Sequence, residues 1–254
     1  MAIFRKRPER IRGIAGSLDG KTILVADGAT GSGPGIVRVL SEAGARVAFT
    51  GPSAVHVDLQ LRALANTPHE VAGTVTTVDT DSERRRLITS TASPLDALVI
   101  NVADPGNARE GPDRDAAAPA AGQLTPQSAV ALVQLAVGKM KDGGREGAVV
   151  FITGIDRAGP TAPTVATLTS EMEQLARRVA PNGIRVNAVA PGQVASNRRG
   201  HVVSSRVAPL GHVSIHPIEV GKAVWFLIND DLSGGITGTT LKTDRGASLL
   251  RPEW

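Results

Sequence analysis

An apolar run that passes directly into a glycine-rich one constrains this chain more than any other feature. Thr22-Ile-Leu-Val-Ala26 has no polar alternation, which suits a strand buried on both faces of a sheet. Asp27-Gly-Ala-Thr-Gly-Ser-Gly-Pro-Gly35 follows it. Then Ile36, Val37, Val39, Leu40 and Ala43 recur at helical spacing, and Gly44 closes the helix. Strand, glycine turn and helix in that order open a βαβ unit. The first turn of such a helix carries free N–H groups and a partial positive charge, and glycines let a phosphate approach the backbone. Gly28, Gly31, Gly33 and Gly35 supply the glycines, of which Gly28, Gly33 and Gly35 are candidate dinucleotide contacts. The same glycines could equally serve only to make a tight strand-to-helix turn.

The alternation continues. Strands are predicted at Arg46–Thr50, Val75–Val78 (ending at Asp79), Leu95–Asn101, Gly147–Thr153, Ile184–Ala190 and Gly238–Thr243. Helices are predicted at Leu59–Leu64, Ser82–Thr89, Thr164–Ala180 and Glu219–Leu227. Another runs to Met140 behind Thr125-Pro126, which reads as an N-cap with Pro at the first helical position. This order predicts a doubly wound α/β fold, a Rossmann-type parallel sheet of about seven strands, in one domain over residues 19–254. Residues 104–122, rich in Ala, Pro, Gly and Asp, offer no apolar face and read as a loose excursion.

Residues 1–18 carry Arg5, Lys6, Arg7, Arg10 and Arg12 against one Glu. They read as a basic, solvated N-terminal extension. The pI of 9.9 owes much to this segment. No aromatic residue lies between Phe4 and Phe49 to stack on bases, so no nucleic-acid partner is expected. With 41% hydrophobic residues and a net charge of only +4, wholesale disorder is excluded. No apolar run is long enough to span a membrane, and the charged start lacks the apolar region of a secretory signal. The expected setting is therefore cytoplasmic, with no membrane partner.

Two absences narrow the chemistry. The chain has no Cys, so it has no thiol nucleophile, disulfide or thiolate-bound metal. It also has no Tyr, so no phenol can act as acid or base. His212 and His216 are four apart, but Pro209 and Pro217 argue against a regular helix there, and no metal site is expected. His56 and His69 read as surface positions. Lys139 and Lys141 suit the end of their helix.

Three later stretches carry a resemblance. Leu95-Asp-Ala-Leu-Val-Ile-Asn-Val-Ala103, Asn182-Gly-Ile-Arg-Val-Asn-Ala-Val-Ala-Pro-Gly192 and Pro217–Gly246 are similar to the LDxLVNNAG, RGIRVNAVAPG and C-terminal DGG-type segments of the short-chain dehydrogenase/reductase family. The glycine turn resembles that family's TGxxxGIG turn, which binds NAD or NADP. The resemblance implies that Asp79 lies at the adenine edge and that Asn101 is the second Asn of NNAG. It also places Pro191 and Gly192 under the nicotinamide and Ser196 beside its amide. The turn here is longer, and one registration puts Val37 where the family has a third Gly. A β-branched residue there should push helix and strand apart. Where the second strand ends, Gly51-Pro52 offers neither the acid that holds NAD's ribose nor the Arg that holds NADP's phosphate. NAD or NADP is thus expected to bind weakly or not at all.

The family's reaction needs an Asn, a Ser, a Tyr and a Lys four residues after the Tyr. Ungapped alignment from one side places Thr161 and Val165 at the last two positions, and from the other side Thr167 and Glu171. The Ser position falls on Gly154 beside Thr153, and the Asn position near Thr125. No catalytic residue of the standard kind is expected. Asp156 and Arg157 remain for an unrelated acid/base role. Arg198, Arg199, His201 and Arg206, in the segment Gln193–Pro217 that forms the family's lid, would suit an anionic ligand or simply be exposed. The resemblance also implies a homo-oligomer, or a hetero-oligomer with an active family member. Val130, Val133, Val137, Leu168, Met172 and Leu175 are the apolar residues expected at its contact. Three functions stay open: a non-catalytic subunit, an oxidoreductase with substitute residues, and a dinucleotide-binding regulator.

Overall fold

A computed structural model describes residues 13–65, 67, 69–92, 94–102, 124–144, 146–153, 163–194, 207–212 and 214–250. A seven-stranded parallel sheet runs in the order β3-β2-β1-β4-β5-β6-β9. Its strands are β1 (Thr22–Ala26), β2 (Arg46–Gly51), β3 (Val71–Val75), β4 (Ala97–Asn101), β5 (Gly147–Ile152), β6 (Ile184–Pro191) and β9 (Thr240–Thr243). Five of the seven, β1, β2, β4, β5 and β6, pair with a strand on each side. In β1, β4, β5 and β6 every residue is buried, as a sheet covered on both faces requires. The edge strand β3 is mostly exposed.

Helices α1 (Gly33–Glu42), α2 (Ala54–Ala63) and α6 (Pro217–Ile228) enclose a core with Ile23, Val25, Phe49 and Val99. The helices α3 (Asp81–Ser90), α4 (Pro126–Asp142) and α5 (Pro163–Val179) enclose a second core with Leu24, Leu98, Ile100 and Phe151. A short α7 (Asp230–Ser233) follows α6. In the segment read as a lid, β7 (Val207–Ala208) and β8 (Gly211–His212) form a two-residue antiparallel pair.

The doubly wound single sheet matches the sequence expectation, with differences that have local causes. The third strand sits at 71–75, not 75–78: the chain leaves the sheet after Val75, and Val78 takes a positive φ of 53°. Pro217 starts α6, and His212 and His216 lie outside the helix as expected. A proline at the first helical position gives up an N–H that would be unpaired anyway. His216 caps that helix: its Nδ1 accepts from the Ile218 amide, and the His216 amide donates to the Glu219 carboxylate.

The expected solvated extension, 1–18, ends earlier than read. Residues 1–12 lie outside the described residues, but Ile14 and Leu18 are buried in the first core, and the Leu18 amide donates to the Ala43 carbonyl. The apolar residues expected at a subunit contact are likewise taken up inside the chain. Val133, Val137, Leu168, Met172 and Leu175 are all buried in the second core, because the apolar stripes of α4 and α5 face their own sheet. Val130 is half-buried. No described helix is long and apolar enough to cross a membrane.

Candidate functional site

Strand order reverses around β1, which lies between β2 and β4. Ligands of open α/β sheets bind beyond the carboxyl ends of the strands at such a point. There the glycine turn, the start of α1 and the end of β4 come together. Asn101 Nδ2 donates to the carbonyls of Asp27 (3.0 Å) and Thr30 (3.1 Å), and its Oδ1 accepts from the Ser32 hydroxyl (3.1 Å). The side chain of Asn101 therefore braces the turn from β4.

Ser32 starts α1 without a side-chain cap bond, and no acidic residue occupies the helix's first turn. The amides of Gly31 and Ser32 find no acceptor among the described residues. These two amides, just before α1, are the free donors here: within the helix's first turn Gly33 donates to Thr30, Gly35 donates to Ser32, and Pro34 has no N–H.

The three candidate glycines do different things. A Cβ on Gly33 would lie 2.6 Å from the Asp27 carbonyl oxygen, so Gly33 lets the turn fold back onto itself. A Cβ on Gly28 would lie 2.7 Å from Phe49 Cβ and 2.9 Å from Val37 Cγ2. Val37 is fully buried: it fills the space that Gly28 leaves, which is why it need not push helix and strand apart. Gly35 faces away from the turn, toward the backbone of Pro217 and Ile218 at the start of α6.

Asp79 is exposed on the turn after β3. That turn is held by Arg84, a buried residue that sequence reading passed over as part of a charged helix. Its guanidinium donates to the carbonyls of Val78 (2.8 Å) and Asp79 (2.7 Å) and pairs with Asp81. Pro191 ends β6, and Gly192 donates to the Thr243 carbonyl; a Cβ on Gly192 would lie 3.0 Å from Ile215 and 3.2 Å from Asp244. Ser196, Gly154, Asp156, Arg157, Thr161, Arg198, Arg199, His201 and Arg206 lie outside the described residues, as does the side chain of Val165. Thr167 and Glu171 are exposed on α5. Thr153 is buried, and its hydroxyl has no partner among the described residues. Lys139 reaches the carbonyls of Ile88 and Thr91, so it serves the end of α3 and not only that of its own helix.

Asp27 is the residue of this site that sequence reading missed. It is buried, its φ is 55°, and it sits at the first position of the turn. Its amide donates to the Thr50 hydroxyl, and its Oδ2 accepts from the Thr30 hydroxyl at 2.7 Å. Its Oδ1 is sealed from solvent with no partner. Burial pushes its pKa up from 3.8 to about 6, against the smaller lowering effect of the Thr30 hydrogen bond. The signal in the sequence was an acidic residue in an otherwise small, neutral, glycine-rich run.

The sign of the effect on stability follows. The folded state holds this proton more tightly than the unfolded chain, so stability falls as pH rises from about 4 to about 6 and stays lower above that. A shift of that size costs about 3 kcal/mol at neutral pH. Asp27→Asn removes the charge but leaves an unpaired amide, which costs about 1–2 kcal/mol. The expected net gain is about 1–2 kcal/mol at pH near 7.5, shrinking to nothing or less near pH 5. Urea denaturation of both proteins at the two pH values checks this, and a pH-independent difference would contradict it.

Known proteins place the chain in a family. Residues 28–248 match a family model described as enoyl-(acyl carrier protein) reductase. A tropinone reductase homologue of Arabidopsis thaliana is 31% identical over 92% of this chain and 81% of its own length. The chain belongs to the short-chain dehydrogenase/reductase family. Another tropinone reductase homologue of that plant, named as chloroplastic, is 29% identical over 92% of this chain and 77% of its own length. An L-rhamnose 1-dehydrogenase (NAD(P)(+)) of Azotobacter vinelandii is 33% identical over 45% of this chain and 49% of its own length. A short-chain type dehydrogenase/reductase from Mycobacterium ulcerans superposes with a TM-score of 0.77 at 20% identity, covering 92% of each chain, which speaks to the fold alone.

Proposed function

We propose that this member of the short-chain dehydrogenase/reductase family has kept a dinucleotide site and lost the standard hydride-transfer chemistry. It would act as a non-catalytic subunit, paired with an active family member or with a second copy of itself. One observation carries the reading: the chain has no Tyr. Thr161, one candidate for that position, is an alcohol with a far higher pKa than a phenol. It could not give or take the proton that must accompany hydride transfer to a carbonyl.

The residues at the switch point fit a dinucleotide's diphosphate. Gly33 brings the turn close to itself, the Gly31 and Ser32 amides have no acceptor among the described residues, and Asn101 holds the turn's shape. When bound, NAD or NADP would supply the hydride chemistry. The glycine turn would hold its phosphates, and Asp79, on the turn that Arg84 fixes, would stand at the adenine edge. Gly51-Pro52 adds nothing for the ribose, so weak binding without strong preference between the two cofactors is the reading here.

A second reading has its own support. The relatives are named as reductases and a dehydrogenase, which favours an oxidoreductase with substitute residues. Titration with NADH and NADPH, followed by assays of their oxidation in the presence of a panel of ketones and aldehydes, separates the two. Dinucleotide binding without turnover, together with a co-purifying family member or a stable self-assembly by native mass measurement, is the expected result. Reduction of any carbonyl by the purified chain would overturn the non-catalytic reading.

A further inference from the structure

Phosphate-binding turns work by presenting donors and positive potential to an anion. This turn has a carboxyl group built into its first residue. Asp27 lies against the end of β1, Thr50 of β2 touches its amide, Asn101 of β4 touches its carbonyl, and Thr30 of the turn touches its Oδ2. On the α1 side, the Asp27 carbonyl lies 2.6 Å from where a Cβ on Gly33 would be. None of these facing groups is charged, and no cation pairs with the carboxylate among the described residues. The other carboxylate oxygen is sealed and unpartnered.

An ionised Asp27 would therefore place a buried negative charge in the same turn that would hold the diphosphate. Like charges so placed raise each other's energy unless one is neutralised. The diphosphate of NAD is a strong-acid anion and does not take up a proton near neutrality. Asp27 is the group that can.

We propose that Asp27 is a proton-coupled element of the dinucleotide site: NAD binding to the glycine turn is accompanied by uptake of one proton on the Asp27 carboxylate, so that affinity rises as pH falls. The balance is simple. Free protein with ionised Asp27, NAD and one solvent proton give the complex with a neutral carboxyl group. Because Oδ1 is closed off, the coupling acts through the field and through the turn, and Asp27 is a positioning residue that need not touch the ligand. The inference rests on the turn being a dinucleotide site. It adds that occupancy is tuned by pH.

One other titratable group borders the turn. His56, exposed on α2, has its Cβ 3.9 Å from where a Cβ on Gly51 would be, next to Ala29 of the turn, and its ring bonds Ser53. A protonated His56 would also favour an anion, so the experiment must separate the two.

Isothermal titration of the full chain with NAD, at pH near 7.5 in two buffers of different ionisation enthalpy, counts the protons taken up directly. NAD is the probe because its diphosphate keeps a constant charge over this range, whereas the 2′-phosphate of NADP titrates. We expect an uptake approaching one proton per NAD at that pH, and binding roughly twentyfold tighter near pH 5.5. Asp27→Asn should bind at pH near 7.5 about as tightly as the parent does near pH 5.5, with no uptake. His56→Gln should keep the uptake. The parent measurement stands even if the Asp27 variant folds poorly, and Asp27→Thr provides a second neutral variant. Binding with no proton uptake would overturn the coupling and leave the dinucleotide site intact. Uptake that survives in both neutral variants, or vanishes in His56→Gln, would move it off Asp27. No binding of NAD at any pH would overturn both this inference and the site on which it rests.

Discussion

Gly35→Ala is expected to leave little folded protein. The added methyl would lie 2.2 Å from the carbonyl carbon of Pro217 and 2.3 Å from its oxygen. On the opposite helix, a Cβ on Gly221 would lie 2.6 Å from the Gly35 carbonyl oxygen and 2.7 Å from Val39 Cγ2. The two glycines are thus a reciprocal pair that lets the backbones of α1 and α6 touch. Adding atoms to a packed core costs about 1–3 kcal/mol when a side chain can give way. Here the obstacle is backbone, fixed by Pro217 at the first helical position and by the His216–Glu219 cap. The helices must separate, which loosens Ile36, Leu40, Val220 and Val224 together. The loss should exceed about 3 kcal/mol, a large share of a stability of about 5–15 kcal/mol. Gly138→Ala is the matched control. Gly138 sits inside α4 with nothing within 4 Å of its would-be Cβ, so helix propensity alone should make that variant about 0.5–1 kcal/mol more stable. Urea unfolding measures both, and a Gly35→Ala protein within about 1 kcal/mol of the parent would refute the close approach.

The place of Gly35 against α6 also shows what the sequence could reveal and what it could not. The parallel-sheet class, most strand positions and the glycine turn were legible because they rest on local pattern: unbroken apolar runs for strands buried on both faces, and 3.6-residue spacing for the helices between. Gly33 and Gly35 look alike in the sequence. What separates them is a helix that arrives almost two hundred positions later, and no local pattern carries that. The same applies to Gly28 and Val37: each looks out of place alone, and each explains the other once stacked. Ile14 and Leu18 were hidden by the arginines before them, because charge dominated the reading of that segment while two apolar side chains decided its end. Val133, Met172 and their neighbours gave the right periodicity and the wrong destination. Spacing shows that a helix has an apolar face, and only the fold shows what that face meets. Asp27 and Arg84 are charged residues whose burial has no signature in the sequence, since the enclosure comes from β2, β4 and α4.

The second large effect concerns Arg185. It lies on β6, nearly buried, and its guanidinium spans the end of α6. Nη1 donates to the Leu227 carbonyl at 2.7 Å and to the Ser233 hydroxyl at 3.3 Å. Nη2 donates to the Ile228 carbonyl at 3.2 Å and to Asp230 at 2.7 Å. The carbonyls at a helix's end lack partners within the helix and carry its negative pole, so a cation there is doubly favoured. Asp230 completes the arrangement. Burial pushes its carboxyl up, but the bonds from Arg185 and Lys21 outweigh this and hold it below the usual carboxylate value. Arg185→Met keeps the apolar stem and removes the fork. It should cost about 3 kcal/mol, the low end for breaking a buried charged network, because Asp230 is itself partly open to water. Arg185→Lys should recover less than half of that loss, since one ammonium cannot span groups that a planar guanidinium meets together. Denaturant midpoints give the totals. Hydrogen exchange of the α6 C-terminal amides gives the location, and faster exchange there in Arg185→Met than in the rest of α6 is the expected signature. Equal stability of the Lys and Arg proteins would show that charge alone, and not the fork, closes this helix.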